Sequence, residues 1–147
     1  MFSRITQCCI PGKNTLITDL TDINYNDTTD FIPPILYGKV IKGYDGDTIT
    51  IAAKLPYALS PIYRFTVRLN GIDSPEMRGG GEKEKALATV SRDALHALIF
   101  DKIIELRNNC KEKYGRLLAD VYTRPLNKNT SGIHVNQWML QNKYAVP

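Results

Sequence analysis

The chain has 147 residues, 43% of them hydrophobic and 23% charged. That is one domain's length and close to ordinary globular composition, which excludes a disordered or low-complexity protein. A chain of this size can bury one modest core without disulfide or metal staples, and no stretch approaches the ~20 apolar residues of a membrane span.

Charge is unevenly spread. Residues 1–36 hold two basic side chains (Arg4, Lys13) and four acidic ones (Asp19, Asp22, Asp27, Asp30), leaving 17 basic and 11 acidic residues for the remainder. A moderately basic folded part suits a polyanionic partner such as nucleic acid, although solubility alone accounts for such a balance. Adjacent Cys8 and Cys9 are poorly placed to pair with each other, and Cys110 leaves the set odd, so a reducing compartment is expected. The first residues lack the apolar run of a secretory signal, which makes an intracellular, cytoplasmic location the expectation. Acylation of Cys8 and Cys9 is an alternative tether to a membrane, but residue 2 is Phe2 and not the glycine a companion myristoyl needs.

Along the chain, residues 1–36 show no sustained period of two or 3.6 and read as an N-terminal extension, loosely structured or packed on the domain of residues 37–147. Tyr37 to Gly43 and Thr48 to Lys54 are β-rich runs joined through Tyr44-Asp45-Gly46-Asp47, a hairpin signal. Ile62 to Ile72 reads as a third strand in which Tyr63, Phe65, Val67 and Leu69 alternate with Arg64, Thr66 and Arg68. Pro75, without an N–H, ends the ladder, and Met77 to Gly81 is a glycine-rich loop. Glu82 to Ile99 follows with Leu87, Val90, Ala94, Ala97 and Leu98 at helical spacing. Lys102 to Arg107 and Leu117 to Thr123 read as strands around a Lys113-Tyr114-Gly115-Arg116 turn, and Val135 to Tyr144 as a short helix with Val135, Trp138 and Met139 on one side. The order predicts an α+β, mainly β fold: a five-stranded antiparallel OB-type barrel with a helix between strands 3 and 4 and a short C-terminal helix.

Two carboxylate clusters fall at strand ends: Asp45 and Asp47 around Gly46, and Asp73 three residues before Glu76. Clustered carboxylates repel one another unless they share a cation or proton, and hard oxygen donors favour Ca²⁺ or Mg²⁺. Singly, Asp-Gly and Asp-Ser-Pro are ordinary turn and terminator sequences. Arg68 and Arg116 each have the bland reading of a surface charge, but a guanidinium fork matches two phosphate oxygens where lysine offers a point charge. A metal, a carboxylate able to take a water proton and two arginines together suit phosphodiester hydrolysis. His96 reads as a half-exposed surface residue and Cys110 as a buried small side chain, and no His/Cys zinc spacing occurs.

Asp45-Gly46-Asp47-Thr48, Phe65 through Glu76, Lys113-Tyr114-Gly115-Arg116 and the later Val135-Asn136 resemble the staphylococcal nuclease family in composition, order and spacing, from about Tyr37 to Val146. The resemblance implies an enzyme, a Ca²⁺-dependent nuclease that hydrolyses DNA and RNA, prefers single strands and leaves 3′-phosphate ends. By it, Asp47, Asp73 and the Ser74 main-chain carbonyl hold one Ca²⁺, with Asp45 in the outer shell and Mg²⁺ or Mn²⁺ as less favoured ions. Glu76 handles the attacking water, Arg68 and Arg116 grip the scissile phosphate, and Lys113 and Tyr114 contact the nucleotide. A monomer is expected. The alternative is a non-catalytic member that binds nucleic acid or protein, which the presence of all these side chains disfavours.

Two departures stand out. Ser74 replaces the family's usual threonine, and Pro147 comes before the family's tyrosine pair and third helix. Ile17, Leu20, Ile23, Phe31 and Ile32 are the residues expected to cover the surface that helix covers elsewhere.

Overall fold

Runs of β-branched and aromatic residues with two-residue alternation form strands because one face of each can be buried while the other meets solvent. In the computed structural model, which describes residues 20–79, 81–125 and 130–147, five such strands form: β1 (Tyr37–Gly43), β2 (Thr48–Lys54), β3 (Ile62–Leu69), β4 (Ile103–Lys111) and β5 (Leu117–Thr123). They close into a barrel in the order β1-β2-β3-β5-β4. The OB-type reading of the sequence is therefore correct in strand number, closure and helix placement.

One pairing differs from the expected antiparallel set. β3 and β5 run parallel, with Val67 beside Leu117 and Arg68 beside Leu118. The reason is the crossover between β3 and β4, which carries the chain to the far side of β1, where Gly38 pairs with Ile104. The β4–β5 hairpin then returns β5 beside β3 in the same direction. β3 also ends at Leu69, short of Ile72, because Asn70-Gly71 turns the chain with Gly71 at φ 69°. β4 runs on to Lys111 through a register shift between Arg107 and Cys110, where Asn108 adopts φ 54°. That extension leaves Cys110 exposed, against the expected burial.

Helix α1 (Glu82–Ile99) buries Ala88, Ser91, Leu95 and Ile99, a stripe at steps of three and four. The expected stripe is only partly the buried one: Leu98 packs half-buried against the core, but Leu87 and Val90 are more than half exposed, because apolar residues occur around much of the helix and two faces compete. Helix α2 (Val135–Gln141) ends before the expected Tyr144 and buries Val135, Asn136 and Met139, with Trp138 half-buried against the core. In β3 the alternation holds for Val67 and Leu69, whereas Tyr63 near the strand's start is exposed. The core is completed by Ile49 and Ile51 of β2, Ile104 and Leu106 of β4, and Val121 of β5.

The chain divides into two compact units, Met1–Phe31 and Ile32–Pro147. In the first, a 3-10 turn at Tyr25–Asp27 is capped by the Asn24 amide donating to Asp27 Oδ2 at 2.9 Å. Leu20, Ile23, Phe31 and Ile32 are exposed, while Ile35 in the second unit is buried in the core. Ile17, Cys8 and Cys9 lie outside the described residues. Among the described residues, no helix is long and apolar enough to cross a membrane.

Candidate active site

The β1–β2 turn is shaped by an aspartate and a glycine. The Asp47 amide donates to Asp45 Oδ1 at 3.2 Å, and the Tyr44 amide to the Thr48 carbonyl at 2.9 Å. Gly46 is required by space: a Cβ there would overlap Ser91 of α1 and crowd Ser74. The close approach lets the turn lie against α1 and turns Asp47 inward, where it is 2% exposed. Buried charge needs partners, and Asp47 has three: Oδ1 accepts from the Thr48 hydroxyl (2.8 Å) and from Arg68 (3.2 Å), and Oδ2 from the Ser74 amide (3.0 Å).

Arg68, near the end of β3, bridges the two carboxylate clusters. Its Nη1 donates to Asp47 and its Nη2 to Asp73 Oδ1. Asp73 sits outside the barrel strands, held by a two-way backbone pairing with Val146, the amide of each donating to the carbonyl of the other at 2.8 and 2.9 Å. Ser91 fastens the same tail by donating to the Tyr144 carbonyl at 2.7 Å. Buried Asn136 locks the departure of the chain from β3: its Oδ1 accepts from the Val121 amide and its Nδ2 donates to the Asn70 carbonyl. Glu76 follows on the exposed loop.

Arg116 enters from the β4–β5 turn, where the Gly115 amide donates to the Glu112 carbonyl and Gly115 adopts φ 82°, open to glycine at no steric cost. Its Nε and Nη2 both donate to the Glu112 carboxylate, at 2.6 and 2.7 Å. The Arg116 hydrogen bond holds the Glu112 carboxyl below its ordinary value. Lys113 lies over the Tyr114 ring, 4.8 Å from its centroid, and Tyr114 is largely exposed.

These segments converge. A cleft of about 290 Å³ is lined by Asp45, Asp47, Arg68, Asp73, Ser74, Glu76 and Arg116, together with Tyr44, Met77 and Arg78. Seven of the nine residues singled out from the sequence therefore share one cavity, and Lys113 and Tyr114 are not among its lining. A larger hollow of about 430 Å³ lies across Asp73 and Ser74, with Leu87, Val90 and Val146 on its walls; it lacks the arginines. Burial and the neighbouring Asp47 charge push the Asp45 carboxyl up to about 6.

Among the described residues no group of three or more His, Cys, Asp or Glu side chains stands ready to hold a metal. The donor chemistry nevertheless fits a hard cation. Asp47 and Asp73 already converge on one positive group, the Arg68 guanidinium, and oxygen donors of this kind suit Ca²⁺ with main-chain carbonyls completing the shell. Sequence reasoning missed Glu112 and Ser91, and singled out Asn136 only as part of a motif, without its bracing role. Glu112 had a signal in its four-residue spacing from Arg116, whereas the roles of Ser91 and Asn136 depend on packing that appears only in the fold.

Residues 66–147 match the family model described as staphylococcal nuclease homologue. An uncharacterized endonuclease of Escherichia coli is 27% identical over 106 residues, covering 72% of this chain and 57% of that protein. One of Haemophilus influenzae is 34% identical over 91 residues, 62% of this chain and 44% of that protein. A probable endonuclease of Phaeosphaeria nodorum is 26% identical over 76 residues, 52% of this chain and 26% of that protein. The chain thus spans little more than half the length of these bacterial relatives or less. With more than half of the chain matched, and the matched segment carrying Arg68, Asp73, Glu76 and Arg116 of the cleft, the chain belongs to the family of staphylococcal nuclease homologues.

Proposed function

We propose that the chain is a Ca²⁺-dependent nuclease, a phosphodiesterase that cleaves single-stranded DNA and RNA to products ending in a 3′-phosphate. The observation that carries this reading is the single cleft in which Arg68 and Arg116 face Asp45, Asp47, Asp73 and Glu76. The endonuclease names of its relatives support the same class.

Asp47, Asp73 and the Ser74 main-chain oxygen would hold Ca²⁺, which when bound would supply positive charge beside the phosphodiester. Arg68, which lines the cleft between Asp47 and Asp73, exchanges those carboxylate partners for phosphate oxygens, which its fork matches. Glu76, exposed and lining the cleft, takes a proton from the attacking water as the water oxygen bonds to phosphorus. The P–O5′ bond breaks, and the leaving oxygen gains the balancing proton. Arg68 and Arg116 stabilise the negative charge that builds on the phosphoryl oxygens, where fixed cations lower the barrier most. Lys113 and Tyr114, outside the cleft lining, serve the neighbouring nucleotide.

Cleavage of a labelled single-stranded DNA and its RNA equivalent, with millimolar Ca²⁺, with Mg²⁺ and with chelator, tests the proposal. Ca²⁺-dependent cutting that leaves 3′-phosphate ends is expected. Absence of cutting together with a gel shift that survives chelator would instead favour the non-catalytic binding member.

A further inference from the structure

Of the three arginines that line the cleft, two are committed within the protein. Arg68 is held by Asp47 and Asp73, and Arg116 by both oxygens of Glu112. Arg78 is exposed and, among the described residues, makes no hydrogen bond or ion pair. The cleft also has one aromatic wall. Tyr44 is 50% exposed, and among the described residues its ring stacks on nothing. Its backbone is fixed by the hydrogen bond to Thr48, so an exposed ring is presented from a rigid turn next to Asp45. A free guanidinium and a free aromatic face on one cavity are the pair that single-stranded nucleic acid uses, the cation for its backbone and the ring for an unpaired base.

We infer that Tyr44 and Arg78 form a subsite for the nucleotide flanking the scissile phosphate, with Tyr44 stacking on its base and Arg78 pairing with its phosphate. The inference rests on reading the cleft as a phosphodiester site and adds the reason for a single-strand preference: a base within a duplex is already stacked and cannot lie on Tyr44. It also assigns the cleft's two unanticipated polar residues complementary tasks, since the phosphate contact positions the strand without reading sequence.

Both side chains are exposed, so substitutions leave the core intact. Fluorescence anisotropy with a short single-stranded oligonucleotide, and with the same strand made abasic at the flanking position, gives a readout separate from cleavage. Tyr44→Ala is expected to weaken binding of the intact strand at least about fivefold, the lower end of base–aromatic stacking. Removing the base should shrink that penalty to within about twofold, and Tyr44→Phe should restore binding of the intact strand. Arg78→Ala should reduce the slope of log affinity against log salt by about one, as loss of a single phosphate contact does. A Tyr44→Ala penalty equal on both strands, or a salt slope unchanged in Arg78→Ala, overturns the subsite. Wild-type protein that cuts normally with no Tyr44 effect fails the subsite alone, whereas base-dependent binding without any cutting fails the nuclease reading alone. No binding by the wild type overturns both.

Discussion

Glu112 shows how one carboxylate can both help and hinder an arginine. By taking Nε and Nη2 of Arg116, it fixes the guanidinium plane and leaves Nη1 for an oxygen of the proposed phosphate substrate, yet it also sets a negative charge against the arginine proposed to grip that phosphate. Glu112→Ala is therefore expected to lower KM several-fold while kcat falls about tenfold or more, since a misoriented catalytic group is costly even at small displacements. Steady-state kinetics on one oligonucleotide separates the two effects, and a merely structural role would not move kcat and KM downward together. The pair also carries a pH signature. Because Glu112's carboxyl is lowered from 4.5 by Arg116, its stabilisation is present above that ordinary value and disappears as pH falls through the lowered native one. Glu76 contrasts with it: exposed and outside these ion pairs, Glu76→Gln should cut kcat by orders of magnitude with almost no change in melting temperature.

The site's precision comes from elements meeting where only small groups fit. Gly46 lies so close to Ser91 and Ser74 that Gly46→Ala must displace the β1–β2 turn from α1. A cost of about 1–3 kcal/mol in denaturant unfolding is expected, as for overpacking generally, with a loss of cleavage larger than the unfolded fraction explains. Elements like this turn were legible in the sequence because Asp-Gly between β-runs and Tyr-Gly before Arg116 are local signals. The bounds of β1, β2 and β5 were legible for the same reason, being fenced by such turns. The buried face of α1 was not, since Leu87 and Val90 make as good a stripe by spacing as Ala88, Leu95 and Ile99, and only the barrel decides between them. Nor was the parallel β3–β5 pairing, which follows from where the crossover sets β4 down and not from any property of β5 itself. Of the site, Asp45, Asp47, Arg68, Asp73, Glu76 and Arg116 announced themselves through type and clustering, whereas Glu112, a lone carboxylate in a turn, and Arg78, a lone guanidinium in a loop, did not. The neutral supports, Ser91 and Asn136, did not, because a buried hydroxyl or amide matters through partners far away in the chain.

At the scale of the molecule, the cleft draws on residues 44–47, 68–78 and 116, with the tail at Val146 bracing Asp73. No one of these segments can hold the others, so the donor set proposed for Ca²⁺ comes together only once the barrel has closed. An ion that binds the folded state and not the unfolded chain must stabilise the fold by mass action, by about 2.7 kcal/mol at a hundred times its dissociation constant. Urea unfolding is thus expected to shift to a higher midpoint as Ca²⁺ is raised, with an unchanged slope. Asp47→Asn should abolish the shift, since the amide keeps the size of the side chain but removes its charge from the donor set. A Ca²⁺ shift that persists in Asp47→Asn would place the ion elsewhere on the protein, and absence of any shift in the wild type would remove Ca²⁺ from the reading while leaving Arg68 as the cation that holds Asp47 and Asp73 together.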